Sequence, residues 1–123
     1  MKKIYLLLFV CLFILCGCAG KTKVEINDDG TITAESSKEL IKNGAILVDV
    51  RSESEYNASH IEGAKLLPVE SINVENAKDI IDSKETIVIV YCRSGARSAS
   101  AKKVLEGLGY INVYNLGAMS NWK

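Results

Sequence analysis

Apolar positions fall into one unbroken block near the start of the chain, followed by short blocks that alternate with polar ones. Ile4 to Leu15 is a run of 12 apolar residues behind Met1-Lys2-Lys3. At ~1.5 Å per residue it is too short to cross ~30 Å of hydrocarbon as a helix, and its positive flank and length match the core of a signal peptide. From residue 24 the pattern becomes that of a folded domain. Val24-Glu25-Ile26 and Thr31-Ile32-Thr33 flank Asp29-Gly30, a turn-favouring pair, and predict an edge hairpin. Ser36-Ser37-Lys38-Glu39 has capping-box spacing, opens a helix through Leu40-Ile41, and is stopped by Asn43-Gly44. Ala45-Ile46-Leu47-Val48-Asp49-Val50 is apolar on both faces, as a buried parallel strand requires.

The alternation continues to the end of the chain. A second box, Ser52-Glu53-Ser54-Glu55, predicts a short helix ending near Asn57, and Ala64-Lys65-Leu66-Leu67 before Pro68 predicts a brief strand. Ile72 to Ile81 reads as a helix with Ala77, Ile80 and Ile81 on one face. Thr86 to Tyr91 is the clearest central strand. Ser98 to Leu108 follows as a helix whose inward stripe is Ala101, Val104, Leu105 and Leu108, with Gly109 as its C-terminal cap. Ile111-Asn112-Val113-Tyr114 is a last short strand. Together these predict an α/β three-layer fold with a mostly parallel central sheet of about five strands flanked by helices.

Charge and cysteine usage narrow the class. The formal net charge is zero, and loss of Lys2 and Lys3 would leave the rest slightly acidic with no basic tract, which gives nucleic-acid binding no support. With one His and no Cys/His cluster, no metal or other cofactor is implied. Leu15-Cys16-Gly17-Cys18 resembles a bacterial lipobox, in which the last cysteine is lipidated and becomes the new amino terminus. This divides the chain into a signal peptide (1–17), a lipidated N-terminus and tether (18–30) and a catalytic domain (31–123). Several acyl chains on Cys18 would hold it firmly, at ~0.8 kcal/mol per buried methylene, and one chain alone is marginal. The expectation is an extracytoplasmic protein lipid-anchored to the bacterial cell membrane, the alternative being an uncleaved anchor. Of the four cysteines, Cys92 would then be the only thiol left, and an unpaired cysteine in an exported protein asks for a reactive role or a place in the core.

In parallel sheets ligands bind beyond the carboxyl ends of the strands, and two polar segments fall there: Asp49-Val50-Arg51 and Cys92-Arg93-Ser94-Gly95-Ala96-Arg97. Cys92 lies between a strand and a helix amino terminus and beside arginines, where amides, the helix dipole and guanidinium charge all favour thiolate. Cys92 is therefore the expected nucleophile. Asp49 reads as an electrostatic orienter or, more simply, as the partner of a loop amide or Arg. Arg51 either assists donor binding or pairs with Glu55. His60 fits a hydrogen-bonded turn residue better than a base, because an ionised nucleophile needs none. Tyr91, Tyr110, Tyr114 and Trp122 are most simply packing residues, with Trp122 a candidate for the pocket mouth.

With these residues placed, the chain resembles the single-domain rhodanese (sulfurtransferase) family from about Thr31 to Trp122. The resemblance is carried by Leu47-Val48-Asp49-Val50-Arg51, Glu55-Tyr56, His60-Ile61-Glu62-Gly63-Ala64, Leu67-Pro68, Val90 to Ser98, Gly109-Tyr110, Val113, Leu116-Gly117-Ala118 and Trp122. Ser59 and Ala118 depart from it, standing where the family usually has Gly. The resemblance implies that Cys92 takes the outer sulfur of thiosulfate or a persulfide donor, becomes Cys-S-SH, and passes that sulfur to cyanide, a thiol or a protein acceptor. Amides from Arg93 to Ser98 would cradle the persulfide, Arg97 would bind the sulfonate end of the donor, Arg93 would steer anions, and Gly95 would supply the unusual backbone angles. Four residues separate Cys92 from Arg97. Related phosphatase-type loops have one more, which disfavours phosphate or arsenate chemistry. The competing readings are a persulfide carrier or reactive-sulfur sensor acting on a protein partner, and a silent binding domain, which the retained cysteine and arginines disfavour.

Overall fold

The computed structural model describes residues 23–123, so the apolar run Ile4 to Leu15 and the lipidation candidate Cys18 lie outside the described residues. The elements are α1 (Ala34–Lys42), β1 (Ile46–Asp49), α2 (Glu53–Ala58), β2 (Lys65–Leu66), α3 (Val74–Ile80), β3 (Val88–Cys92), α4 (Ala96–Gly107) and β4 (Val113–Ala118). Single 3₁₀ turns occupy Val69–Ser71 and Met119–Asn121. The strands form one sheet of order β2-β1-β3-β4 with every pairing parallel. It has four strands instead of the expected five. The predicted edge hairpin contributes only an Ile26–Ile32 bridge, whose turn is closed by the Asn27 and Asp29 hydrogen bonds.

That hairpin is nonetheless part of the domain. The Ile32 amide donates to the Asn115 carbonyl at 2.9 Å and the Ile32 side chain is buried, so the segment assigned to the tether is docked from Val24 onward. Its docking also moves the start of α1. The Ser36 hydroxyl, expected as the N-cap, accepts from the Glu25 amide at 2.9 Å, and the helix begins earlier, with the Thr33 side chain accepting from Ser36 N. The second box forms as its spacing predicts, the Ser52 hydroxyl accepting from Glu55 N while the Glu55 carboxylate accepts from Ser52 N. For α3 the cap is Asn73, paired reciprocally with Asn76, which shortens the helix expected over 72–81.

The central strand β3 is buried along its whole length, and its alternation sorts the core into two layers. Val88, Val90 and Cys92 face α3 and α4, packing with Ala77, Ala101 and Leu105. Ile89 and Tyr91 face α1 and α2, packing with Leu40, Ile61 and Leu116. The last strand runs past Tyr114 to Ala118 because its ladder with β3 shifts register between Val90 and Tyr91. Gly117 sits at φ +84° in this bulge, and a Cβ there would lie 3.1 Å from Thr31 Cγ2 and from Asn121 Nδ2. The shift sets Ala118 opposite Cys92, at the carboxyl edge where the polar loops gather.

Candidate active site

Cys92 is the last residue of β3, and its side chain meets the amino terminus of α4. The chain reaches that helix through Gly95, at φ +101° and ψ −16°, a left-handed conformation natural only to glycine. As N-cap, Gly95 has no side chain to accept from the first amides of the helix, which need acceptors. The Cys92 sulfur takes that place. It accepts from Gly95 N at 3.0 Å and from Ser98 N at 3.4 Å, and its thiol donates to the Ser98 hydroxyl oxygen at 3.5 Å. The same hydroxyl donates to the Gly95 carbonyl at 3.0 Å, and can turn its proton to the sulfur once the thiol is ionised. Cys92 and Ser98 are fully buried, whereas Arg93, Ser94 and Ala96 are exposed around them.

Burial alone would push the Cys92 thiol up. Hydrogen bonds from the Ser98 hydroxyl and from the Ser98, Gly95 and Ser94 amides outweigh it and leave the thiol below its ordinary value. This refines the expectation from sequence, which credited the arginines as well. Arg97 is paired with Glu55 and interacts with the sulfur only through space, and Arg93 is out in solvent, so the largest lowering contributions come from oriented N-H and O-H groups. A desolvated sulfur whose ionised form is favoured by fixed dipoles is suited to act as a nucleophile.

Asp49 takes the simpler of its two readings, as partner of a loop amide and an arginine, whereas Arg51 takes neither of its own. Asp49 ends β1 and is fully buried. Its Oδ1 accepts from Arg51 N at 2.9 Å, and its Oδ2 from Arg51 Nη2 and from the Tyr91 hydroxyl, each at 2.7 Å. Arg51 Nη2 also donates to the Ser59 carbonyl at 2.6 Å. Tyr91 completes the network by accepting from Ile61 N at 3.0 Å, and burial followed by the Asp49 contact pushes its phenol well up, keeping it a donor. Neither role proposed for Arg51 is seen, since its partner is Asp49 and not Glu55 or an open donor site. The triad buckles the β1 and β2 loops together on the α1/α2 side of the sheet, away from the face that carries Cys92.

Arg97, expected to hold the donor's sulfonate, is instead forked onto Glu55, with Nη1 2.7 Å from Oε1 and Nη2 3.0 Å from Oε2. Glu55 is the residue that reading the sequence missed, having been assigned only its capping role and a competing pairing with Arg51. The pairing with Arg97 spans 42 positions and leaves no local trace. His60 stacks flat on Tyr56, with 3.7 Å between ring centroids, and its Nδ1 lies 2.8 Å from the Tyr56 carbonyl, as a turn residue would. Ser59 and Ala118, where glycine was anticipated, both take extended angles open to any residue. Trp122 packs partly buried against the α1 layer, with the Lys38 ammonium 5.0 Å from its ring centroid.

An open cleft of about 440 Å³ reaches the back of the loop, walled by Ser94 and Gly95, by Gly117 and Ala118 of the bulge, and by Asp29 and Thr31 of the docked hairpin. Among the described residues, no group of three or more His, Cys, Asp or Glu side chains is placed to hold a metal ion, and no helix is long and apolar enough to cross a membrane.

A parallel sheet ending in a cysteine whose sulfur accepts the first amides of the following helix is the framework of a cysteine-based transfer enzyme, and the four-residue spacing from Cys92 to Arg97 favours sulfur. The family model described as "Rhodanese-like domain" matches residues 33–123, and the chain belongs to that family. Thiosulfate sulfurtransferase PspE of Escherichia coli K12 is 32% identical over 74 residues, spanning 60% of this chain and 70% of its own length. Thiosulfate sulfurtransferase GlpE of Ectopseudomonas mendocina is 32% identical over 93 residues, covering 75% of this chain and 83% of its own. Among solved structures, the human single-domain sulfurtransferase TSTD1 superposes with a TM-score of 0.63 at 26% identity, over 76% of this chain and 94% of that one. The chain is a rhodanese-type sulfurtransferase.

Proposed function

We propose that this protein moves sulfane sulfur through a persulfide on Cys92, from thiosulfate or a persulfide donor to cyanide or a thiol, while tethered outside the cytoplasm by a lipid on Cys18. The observation that carries the chemistry is the Cys92 sulfur serving as acceptor for Gly95 N and Ser98 N at the amino terminus of α4. In the first half-reaction the thiolate attacks the outer sulfur of thiosulfate, a Cys92 S–S bond forms, the donor S–S bond breaks, and sulfite leaves with the electron pair. In the second, cyanide or a thiolate attacks the outer sulfur, leaving as thiocyanate or a new persulfide and restoring the Cys92 thiolate. Charge is conserved in each half, so the loop needs fixed donors and no proton relay.

Turnover with thiosulfate and cyanide, abolished in Cys92→Ser, together with a one-sulfur mass increase on Cys92 in the absence of acceptor, is the expected result. A sulfur that loads on Cys92 but passes to no small acceptor would assign the protein to the carrier or sensor class instead. Turnover that survives Cys92→Ser would overturn the mechanism. The tether is tested separately, because Cys18→Ala should release the protein from the membrane fraction and remove the acyl mass from its amino terminus.

A further inference from the structure

Two arginines flank the nucleophile, yet neither is presented to a ligand in a simple way. Arg93 extends into solvent, and Arg97, in the first turn of α4, has both terminal nitrogens engaged by the Glu55 carboxylate. A two-pronged guanidinium contact is the geometry by which arginine also takes the oxygens of an oxyanion. Glu55 thus stands where the sulfonate oxygens of a donor would go. It is also anchored, because Oε1 accepts from Ser52 N at 3.2 Å and from the Ser52 hydroxyl at 3.0 Å. The pair lies at the rim of the site, with its side chains 33% and 28% exposed, and the negative charge of Glu70 adds to the field at Arg97.

Resting on the reading of Cys92 as the sulfur acceptor, we propose that Glu55 sets donor specificity by occupying the oxyanion port of Arg97, so that the site prefers organic persulfides to thiosulfate. Thiosulfate carries anionic oxygens beside the sulfur to be transferred. To reach Arg97 they must displace an anchored carboxylate, and beside an intact pair they meet no net positive charge. An organic persulfide carries no anionic oxygens on the atom that holds its transferable sulfur, any carboxylates of its carrier being several bonds away. It needs only the loop amides, and its transfer balances as a persulfide anion plus the Cys92 thiolate giving the Cys92 persulfide and a free thiolate.

Glu55→Gln keeps the length of the side chain and removes its charge. With cyanide as acceptor, this variant should lower the KM for thiosulfate about tenfold relative to wild type while the KM for glutathione persulfide changes less than about twofold. Sulfate, a dead-end dianion, should likewise inhibit persulfide turnover more strongly in the variant. Ser52→Ala removes the hydroxyl anchor of Oε1 without altering charge and should shift the ratio between donors in the same direction but by less than Glu55→Gln. Sulfur on Cys92 with an unmoved donor ratio in Glu55→Gln, or with a larger shift in Ser52→Ala than in Glu55→Gln, overturns this inference alone. Failure of either donor to load Cys92 in wild type overturns the nucleophile reading and this one with it.

Discussion

Replacing Tyr91 by Phe separates what holds the fold from what does the chemistry. The ring is fully buried and would repack unchanged, so the perturbation is the hydroxyl alone. That hydroxyl donates to Asp49 Oδ2 at 2.7 Å and accepts from Ile61 N at 3.0 Å. Without it the Ile61 amide is left buried and unpaired, at a cost of about 1–3 kcal/mol, and Asp49 loses one of its charged hydrogen bonds, at about 1.5–3 kcal/mol. Asp49 keeps Arg51, so the lower part of each range applies and the sum is about 3 kcal/mol. For a domain of this size each kcal/mol moves Tm by about 4–8 °C, which places the variant roughly 12–24 °C below wild type. Thermal unfolding followed by circular dichroism measures this. Sulfur transfer at low temperature should survive, because Tyr91 and Cys92 face opposite sides of β3. A melting point within about 4 °C of wild type, or loss of Cys92 reactivity in the folded variant, would refute the separation.

Four further outcomes rest on the same geometry. Alkylation of Cys92 should proceed below the pH at which a free thiol of pKa ~8.5 reacts, and a rate profile centred on that value would contradict the hydrogen-bonded thiolate. Because the folded thiol is the stronger acid, the stability of wild type relative to Cys92→Ala should rise with pH up to the unfolded thiol's pKa, then level off, and be lost as pH falls through the folded value. The Arg97 hydrogen bonds, aided by Ser52, hold Glu55 at about 2 instead of 4.5, so its contribution should be complete above 4.5 and lost as pH falls toward 2. Glu55→Gln should flatten that acid limb in a pH series of melts, and an unchanged slope would argue against the pairing in solution. Gly95→Ala forces a side chain into a left-handed backbone at a cost of about 1–2 kcal/mol, and should depress sulfur loading more than it depresses Tm.

Much of the architecture is written locally. The runs that became β1 and β3 are continuous and apolar on both faces, and the Ser52 box closes on itself within four residues, so each is readable without the rest of the chain. Cys92 could be placed at a helix amino terminus for the same reason. What escaped depends on distant partners. The start of α1 moved because Ser36 is claimed by an amide 11 positions away, and β4 continued past Tyr114 because its bulge exists only against β3. The role of Arg97 depends on a carboxylate 42 positions earlier, and Asp49 finds Tyr91 across the sheet. At both loops the residue types were visible in the chain, but which charge faces which was not.

The sulfur that ends β3 is at once reagent and brace. When it carries a second sulfur, the negative charge moves one atom outward and the inner atom becomes a poor acceptor for Gly95 N and Ser98 N. In the proposed cycle each loading should therefore loosen the leading turn of α4 and each release retighten it, and amide exchange there would time the two states.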